Sequence, residues 1–255
     1  MTCRLSVFFL FALASCTSNP DLYSEKKTPV PNHLAFSKLL NQFVDSTGMV
    51  NYHDFLSEQS SLENYLMSLD SFPPNNEWSE DEQKAYWINA YNAATIQLIL
   101  ENYPLKSIRD LHPTPYIPFV NTVWHIENIT IGGKKGSLDQ IEHEILRPRF
   151  NDPRVHFAIN CASYSCPRLK NEAYFAEKLD EQLEEQAEYF INNPLKNSLS
   201  TESVEISPIF NWFGGDFKEK GSIIQFLNTY SHVKIDDRAK VSFKEYDWRL
   251  NATAH

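Results

Sequence analysis

Between Leu34 and Phe72 apolar residues return every three and four positions, the spacing of an amphipathic helix, in two segments broken at Asp45-Ser46-Thr47-Gly48. The break reads as a turn, since its isolated Asp and Gly fall short of an EF-hand loop. A clearer helix starts at Ser79, where Glu82 completes a capping box, and runs through Lys84 and Ile96 toward Leu100. Beyond its first turn it is apolar nearly all round, which predicts a central, buried helix. Trp87, Asn89, Tyr91 and Asn92 all lie on it. Asn89 and Asn92 are then interior amides that need partners: either they tie down neighbouring loops or they line a site.

The segment from Pro104 to Pro118 is broken by proline and reads as a rigid rim. Val123 to Ile131 predicts strand, in one hairpin turned at Glu127-Asn128 and ended by Gly132-Gly133. A short helix follows from the N-cap Ser137, with Gln140 in capping position, through Leu138, Ile141 and Ile145 to Leu146. At about 100° per residue Glu142 falls on the side of Leu138 and Ile145, while His143 turns to the flank. A carboxylate on an apolar face either pairs with a buried cation or orients a catalytic group. His156 to Cys161 alternates as a strand, with Phe157, Ile159 and Cys161 on one face, and Pro167 suits the first position of a short helix. Phe175, Leu179, Leu183, Ala187, Phe190 and Ile191 form the core stripe of a long helix. A strand at Val204 to Ile206, the aromatic run Ile209 to Phe213, a helix near Ser222 to Tyr230 and a strand Val241 to Phe243 complete the chain. The class is α+β: a single domain over residues 33–255, with a buried central helix and surrounding helices packed on a small, mainly antiparallel sheet.

The first residues follow a different pattern. Arg4 precedes the apolar run Leu5 to Ala14, too short to span a membrane and shaped like an export signal. It ends in Leu13-Ala14-Ser15-Cys16, which resembles the lipobox of bacterial lipoproteins and implies a signal peptide over residues 1–16 with Cys16 as the lipidated residue. Residues 17–32, with Pro20, Pro29 and Pro31, then read as a flexible tether that holds the domain off a membrane of the cell envelope. Of four cysteines, Cys3 leaves with the signal and Cys16 takes the lipid, so Cys161 and Cys166 remain. Two thiols without a further Cys or His pair at ligand spacing do not make a structural zinc site, and no cofactor is called for. A net charge of −10, spread without long runs, gives no footprint for phosphate backbones, so nucleic acid is not an expected partner.

The chemistry gathers at His156-Phe157-Ala158-Ile159-Asn160-Cys161-Ala162-Ser163-Tyr164-Ser165-Cys166-Pro167, where an apolar stretch enters a polar turn with both thiols. Either Cys161 and Cys166 form a disulfide closing a small loop, or Cys161 is a working nucleophile. Tyr86 to Ala93, Ser137 to Arg147 and His156 to Leu169, in this order, resemble the signature of the domain of unknown function 547 family, with a core near residues 84–193. Asp45 to Tyr52, Phe210 to Phe217 and Tyr246 to Asn251 also look like its bacterial members. The resemblance implies no established activity. Its plant members match Cys161 but often carry serine in place of Cys166, which favours a role for Cys161 of its own.

Two functions follow. One is an envelope thiol hydrolase or acyltransferase of papain-like or transglutaminase-like logic, with Cys161 as nucleophile, His143 as base and Glu142 or an asparagine amide as orienter. The other is a non-catalytic, disulfide-stapled binding or scaffolding lipoprotein whose aromatic groove of Trp87, Tyr91, Trp212 and Phe213 receives a peptide or glycan.

Overall fold

In the computed structural model, residues 22–118, 120–219 and 221–253 are described; the signal segment, Cys16 and the first part of the tether lie outside them. Helices α1 (Leu34–Phe43), α2 (Tyr52–Phe55) and α3 (Gln59–Ser71) lead to α4 (Glu80–Glu101). The hairpin β1 (Glu127–Ile131) and β2 (Lys134–Ser137) follows. The chain then enters α5 (Leu138–Gln140), which continues through a π-helical segment, Ile141–Leu146, into α6 (Arg147–Phe150). Beyond α7 (Leu179–Asn192) come β3 (Ser198–Leu199), β4 (Ser203–Ile206), α8 (Ile209–Trp212), α9 (Gly214–Lys218), α10 (Ile223–Tyr230) and β5 (Lys240–Phe243). The result is the expected α+β domain, dominated by helix.

Helix α4 organises it. The Ser79 hydroxyl accepts the Glu82 amide N–H at 3.2 Å and the Glu82 carboxylate accepts the Ser79 N–H at 2.7 Å, so two otherwise orphaned donors are satisfied. From Lys84 to Leu100 every residue of the helix is buried. Helix α3 and the π-segment pack on it. A second apolar cluster, built from Phe157, Phe190, Phe210, Phe217, Ile224 and Leu227, lies between α7 and α10. The chain passes between the two clusters at Phe157-Ala158-Ile159, Phe157 entering the second and its two successors the first. Strands β3 and β4 are antiparallel, while β5 joins β4 in parallel.

The structure corrects four local expectations. Val123–His125 is a single 3₁₀ turn, and the hairpin reverses at Gly132-Gly133 instead of Glu127-Asn128. Two adjacent glycines with φ of +61° and +74° supply the left-handed pair that a tight hairpin turn needs. His156–Cys161 is no strand: Pro153–Phe157 forms a 3₁₀ turn capped by Asp152, and the chain is irregular beyond it. Pro167 starts no helix, since the next helical turn begins at Ala176. Residues 22–32 are not a free tether. Leu22 is in the core, Tyr23 accepts the Trp87 indole N–H at 3.0 Å, and the Thr28 carbonyl accepts that of Trp78 at 2.8 Å. The folded part therefore reaches back at least to Leu22.

Both interior amides of α4 tie down loops. Asn89 donates to the Tyr174 carbonyl at 2.8 Å and accepts its N–H at 2.9 Å. Asn92 donates to the Ala158 carbonyl at 2.9 Å and accepts the Asn160 N–H at 2.9 Å. Because each truncation strands a buried main-chain donor and acceptor, Asn89→Ala and Asn92→Ala are expected to cost at least about 1–3 kcal/mol each. Thermal or urea melts check this, and unchanged midpoints would contradict it.

Candidate active site

Residues 156–174 are largely buried yet irregular, so their main-chain groups need partners other than a neighbouring strand. Helices supply them. Alongside Asn89 and Asn92, Gln186 of α7 donates to the carbonyls of Phe157 (3.1 Å) and Arg168 (3.0 Å), and Gln182 to that of Ala173 (2.9 Å). Asn160 spans the turn itself, donating to the Pro167 carbonyl at 2.7 Å and accepting the Ala162 N–H at 2.8 Å. Ala162 has φ of +59°, a left-handed conformation that costs an L-residue about 1–2 kcal/mol. The C-terminal segment clamps the other side of this turn. Ala162 accepts the Asn251 N–H, the Tyr164 N–H reaches the Arg249 carbonyl at 2.7 Å, and Ser165 N–H that of Asp247 at 3.1 Å.

This clamp delivers Tyr246 to the thiols. Cys161 Sγ has Cys166 Sγ at 3.2 Å, Ser163 Oγ at 3.3 Å and the Tyr246 hydroxyl at 3.6 Å. Both cysteines are free thiols. Ser163 donates to the Tyr246 oxygen at 2.9 Å, which frees the Tyr246 proton for the sulfur. With Cys166 donating as well, Cys161 is the better acid: the Cys166 hydrogen bond, outweighing burial and aided by Tyr246 and the Ser163 main-chain N–H, brings it down to about 6. Burial, reinforced by the Cys161 charge, pushes Cys166 well up.

Glu142 lies in the π-segment, with its side chain 12 % exposed. Burial first, then the Cys161 charge, raises its carboxyl to about 8, against a smaller opposing pull from Arg147. Near neutrality it holds a proton and can donate one. Tyr91 Oη approaches it to 3.5 Å and His156 Nδ1 to 3.9 Å. His156 is itself buried, which lowers its pKa, and its Nε2 bonds Asp216 at 2.7 Å; the carboxylate acceptor places the ring proton on Nε2 and leaves Nδ1 bare. Asp216 is gripped in turn by Arg147 at 2.7 and 3.0 Å.

His143 is not placed as the base of Cys161. Its Nδ1 accepts from Arg147 at 2.7 Å and its Nε2 faces Asp139 at 3.7 Å, so both nitrogens are engaged elsewhere. Among the described residues no imidazole has a hydrogen bond to Cys161. The aromatic groove is also composed differently. Trp87 is 0 % exposed and Tyr91 is buried, so neither can meet a ligand, whereas Trp212 is 49 % exposed. Trp212 stacks near Trp248 at 5.9 Å and Tyr246 at 4.8 Å, and Trp124 lies 5.7 Å from Trp248. Phe213 instead covers His156, with ring centroids 4.1 Å apart. Sequence reasoning missed Ser163, Tyr246 and Asp216 as site residues, and it ranked His156 as a weaker base than His143 because a regular strand would turn it to the face opposite Cys161. The available signal was the two flanking motifs, Phe210 to Phe217 and Tyr246 to Asn251, which supply Asp216, Phe213 and Tyr246.

Residues 75–191 match the family described as Protein of unknown function, DUF547, which supports the resemblance read from the three motifs. No curated protein and no solved structure matches the chain.

The raised carboxyl has a thermodynamic signature. In the unfolded chain Glu142 ionises from about 4.5, whereas the folded protein keeps its proton until about 8, so stability falls as pH rises across that window. Glu142→Gln removes this penalty. The variant is expected to be more stable than the parent at neutral pH, by roughly 3 kcal/mol, with the gap closing below the unfolded pKa. Urea melts at several pH values measure it; a gap independent of pH would refute the assignment.

Proposed function

We propose that the chain is a cell-envelope thiol hydrolase or acyltransferase in which Cys161 is the nucleophile and Glu142 the proton donor. One observation carries the reading: a partly exposed thiol acidified by its neighbours lies within electrostatic reach of a buried carboxyl that burial keeps protonated. The thiolate attacks an acyl carbonyl carbon, and the tetrahedral intermediate collapses as Glu142 gives its proton to the departing amine or alcohol. A thioester on Cys161 remains. Water or an acceptor nucleophile then attacks it, losing its proton to the Glu142 carboxylate, and Cys161 leaves as thiolate. His156, held neutral and oriented by Asp216 and Arg147, presents Nδ1 toward the Glu142 carboxyl at 3.9 Å. The rim of Trp212, Trp248 and Tyr246 offers an aromatic surface for a peptide or glycan carrying the acyl group. Lipid attachment at Cys16, supported by the Leu13-Ala14-Ser15-Cys16 box, holds this site at a membrane surface.

The thiolate needs pH above about 6 and the acid pH below about 8, so turnover of an acyl p-nitroanilide is expected to be bell-shaped between these limits. Cys161→Ser should abolish it, and Glu142→Gln should remove the alkaline limb and lower the rate about 10²–10⁴-fold. Undiminished turnover by Cys161→Ser sinks the proposal. Anchoring is tested separately: the native protein should enter the detergent phase on Triton X-114 partition, while Cys16→Ala should remain unprocessed. A trimmed, aqueous Cys16→Ala product would contradict the anchor.

A further inference from the structure

We propose that Cys161 and Cys166 also act as the attacking and resolving thiols of a dithiol–disulfide exchange on peptide disulfides. The inference rests on Cys161 being the nucleophile of the reading above and not on acyl transfer. Acyl transfer uses one sulfur, and this turn holds two in contact, 3.2 Å apart. They are not equivalent. Cys161 is partly exposed beside the aromatic rim, whereas Cys166 is 6 % exposed and borders a groove of about 870 Å³ behind the turn. A disulfide approaching along the aromatic rim meets Cys161 first.

The turn is built for the second step. The Cys161 N–H donates to Cys166 Sγ at 3.1 Å, which keeps the inner sulfur directed at the outer residue. Asn160 braces the turn from one side and the Ala162–Asn251 pairing from the other. Closing a disulfide takes the sulfurs from 3.2 Å to about 2.05 Å, a shift within the reach of two χ1 rotations. Lys196 lines the same groove as Cys166, and its ammonium bonds the Tyr164 carbonyl. Burial lowers its pKa, against the opposing pull of the thiols.

The chemistry balances. Cys161 thiolate attacks one sulfur of the peptide disulfide, forming a mixed disulfide and expelling the first peptide thiolate. Cys166 attacks Cys161 Sγ; the mixed disulfide breaks, the second peptide thiolate leaves and takes up the proton that Cys166 gives up, and the Cys161–Cys166 bond remains. The substrate disulfide gains two electrons and the dithiol loses them. The aromatic rim favours a peptide as carrier, since Trp212 and Trp248 present apolar faces next to the Tyr246 that touches Cys161.

The test uses the full reduced chain with oxidised glutathione as the tripeptide disulfide, acid-quenched at intervals and read by mass spectrometry. Native protein should pass through a glutathione adduct on Cys161 to the internal disulfide, releasing two thiols per chain. Cys166→Ser and Cys166→Ala should stop at the Cys161 adduct with one thiol released, and Cys161→Ser should react at least tenfold more slowly. Because the Cys166 variants remove a buried group, the order of species in the native time course is decisive even if both fail to fold. Native protein that halts at the Cys161 adduct overturns the exchange while leaving the acyl-transfer reading intact. A first adduct on Cys166, or two inert thiols, overturns both.

Discussion

A buried loop must dispose of its main-chain N–H and C=O groups, and in this protein side-chain amides do so where a sheet would otherwise be needed. Asn89 and Asn92 on α4, and Gln182 and Gln186 on α7, stand in for a neighbouring strand along residues 157–174. Asn160 is bonded by the Asn92 carbonyl oxygen at its own N–H and carries the turn with its side chain. Asn251, which accepts the Tyr52 hydroxyl at 2.8 Å and donates to Gly48, links the same lattice to the N-terminal helices. Such a lattice stabilises only when complete, because each missing partner leaves a desolvated dipole unpaired.

What the lattice secures is an unusual conformation, not a regular one. Free of ladder geometry, the chain can place Ala162 in the left-handed region and bring Ser163, Cys166 and the distant Tyr246 around one sulfur. Acidity that many thiols owe to a helix N-terminus or an imidazolium arises here from S–H and O–H donors in a partly buried turn. Burial acts on Glu142 in the opposite sense, raising its pKa. One low-dielectric setting thus makes a stronger acid of the cysteine that has donors and a weaker acid of the carboxylate that has few.

The helices were legible in the sequence because their signals are local: the Ser79 capping box, the all-round apolar run of α4 and the stripe of α7 each depend on neighbours a turn away. The His156–Cys161 stretch misled because alternating apolar residues report burial, and burial here comes from helices on either side, with no strand to pair. Glu142 turned inward as the wheel predicted, its side chain being 12 % exposed against 39 % for His143. The partners of His143 could not be foreseen. Arg147 is one turn away, but Asp216, which orients that arginine and His156, comes from 69 and 60 residues further on and meets them only by tertiary packing.

The clamp between the turn and the final strand-like segment also sets a schedule. Tyr246 follows Cys161 by 85 residues, and Asn251 follows Tyr52 by 199. During vectorial emergence of the chain, the cysteine pair appears long before the hydroxyl and main-chain groups that acidify and immobilise it. Until Tyr246 and Asn251 dock, the turn lacks the hydroxyl and the main-chain clamp that hold it in its folded conformation.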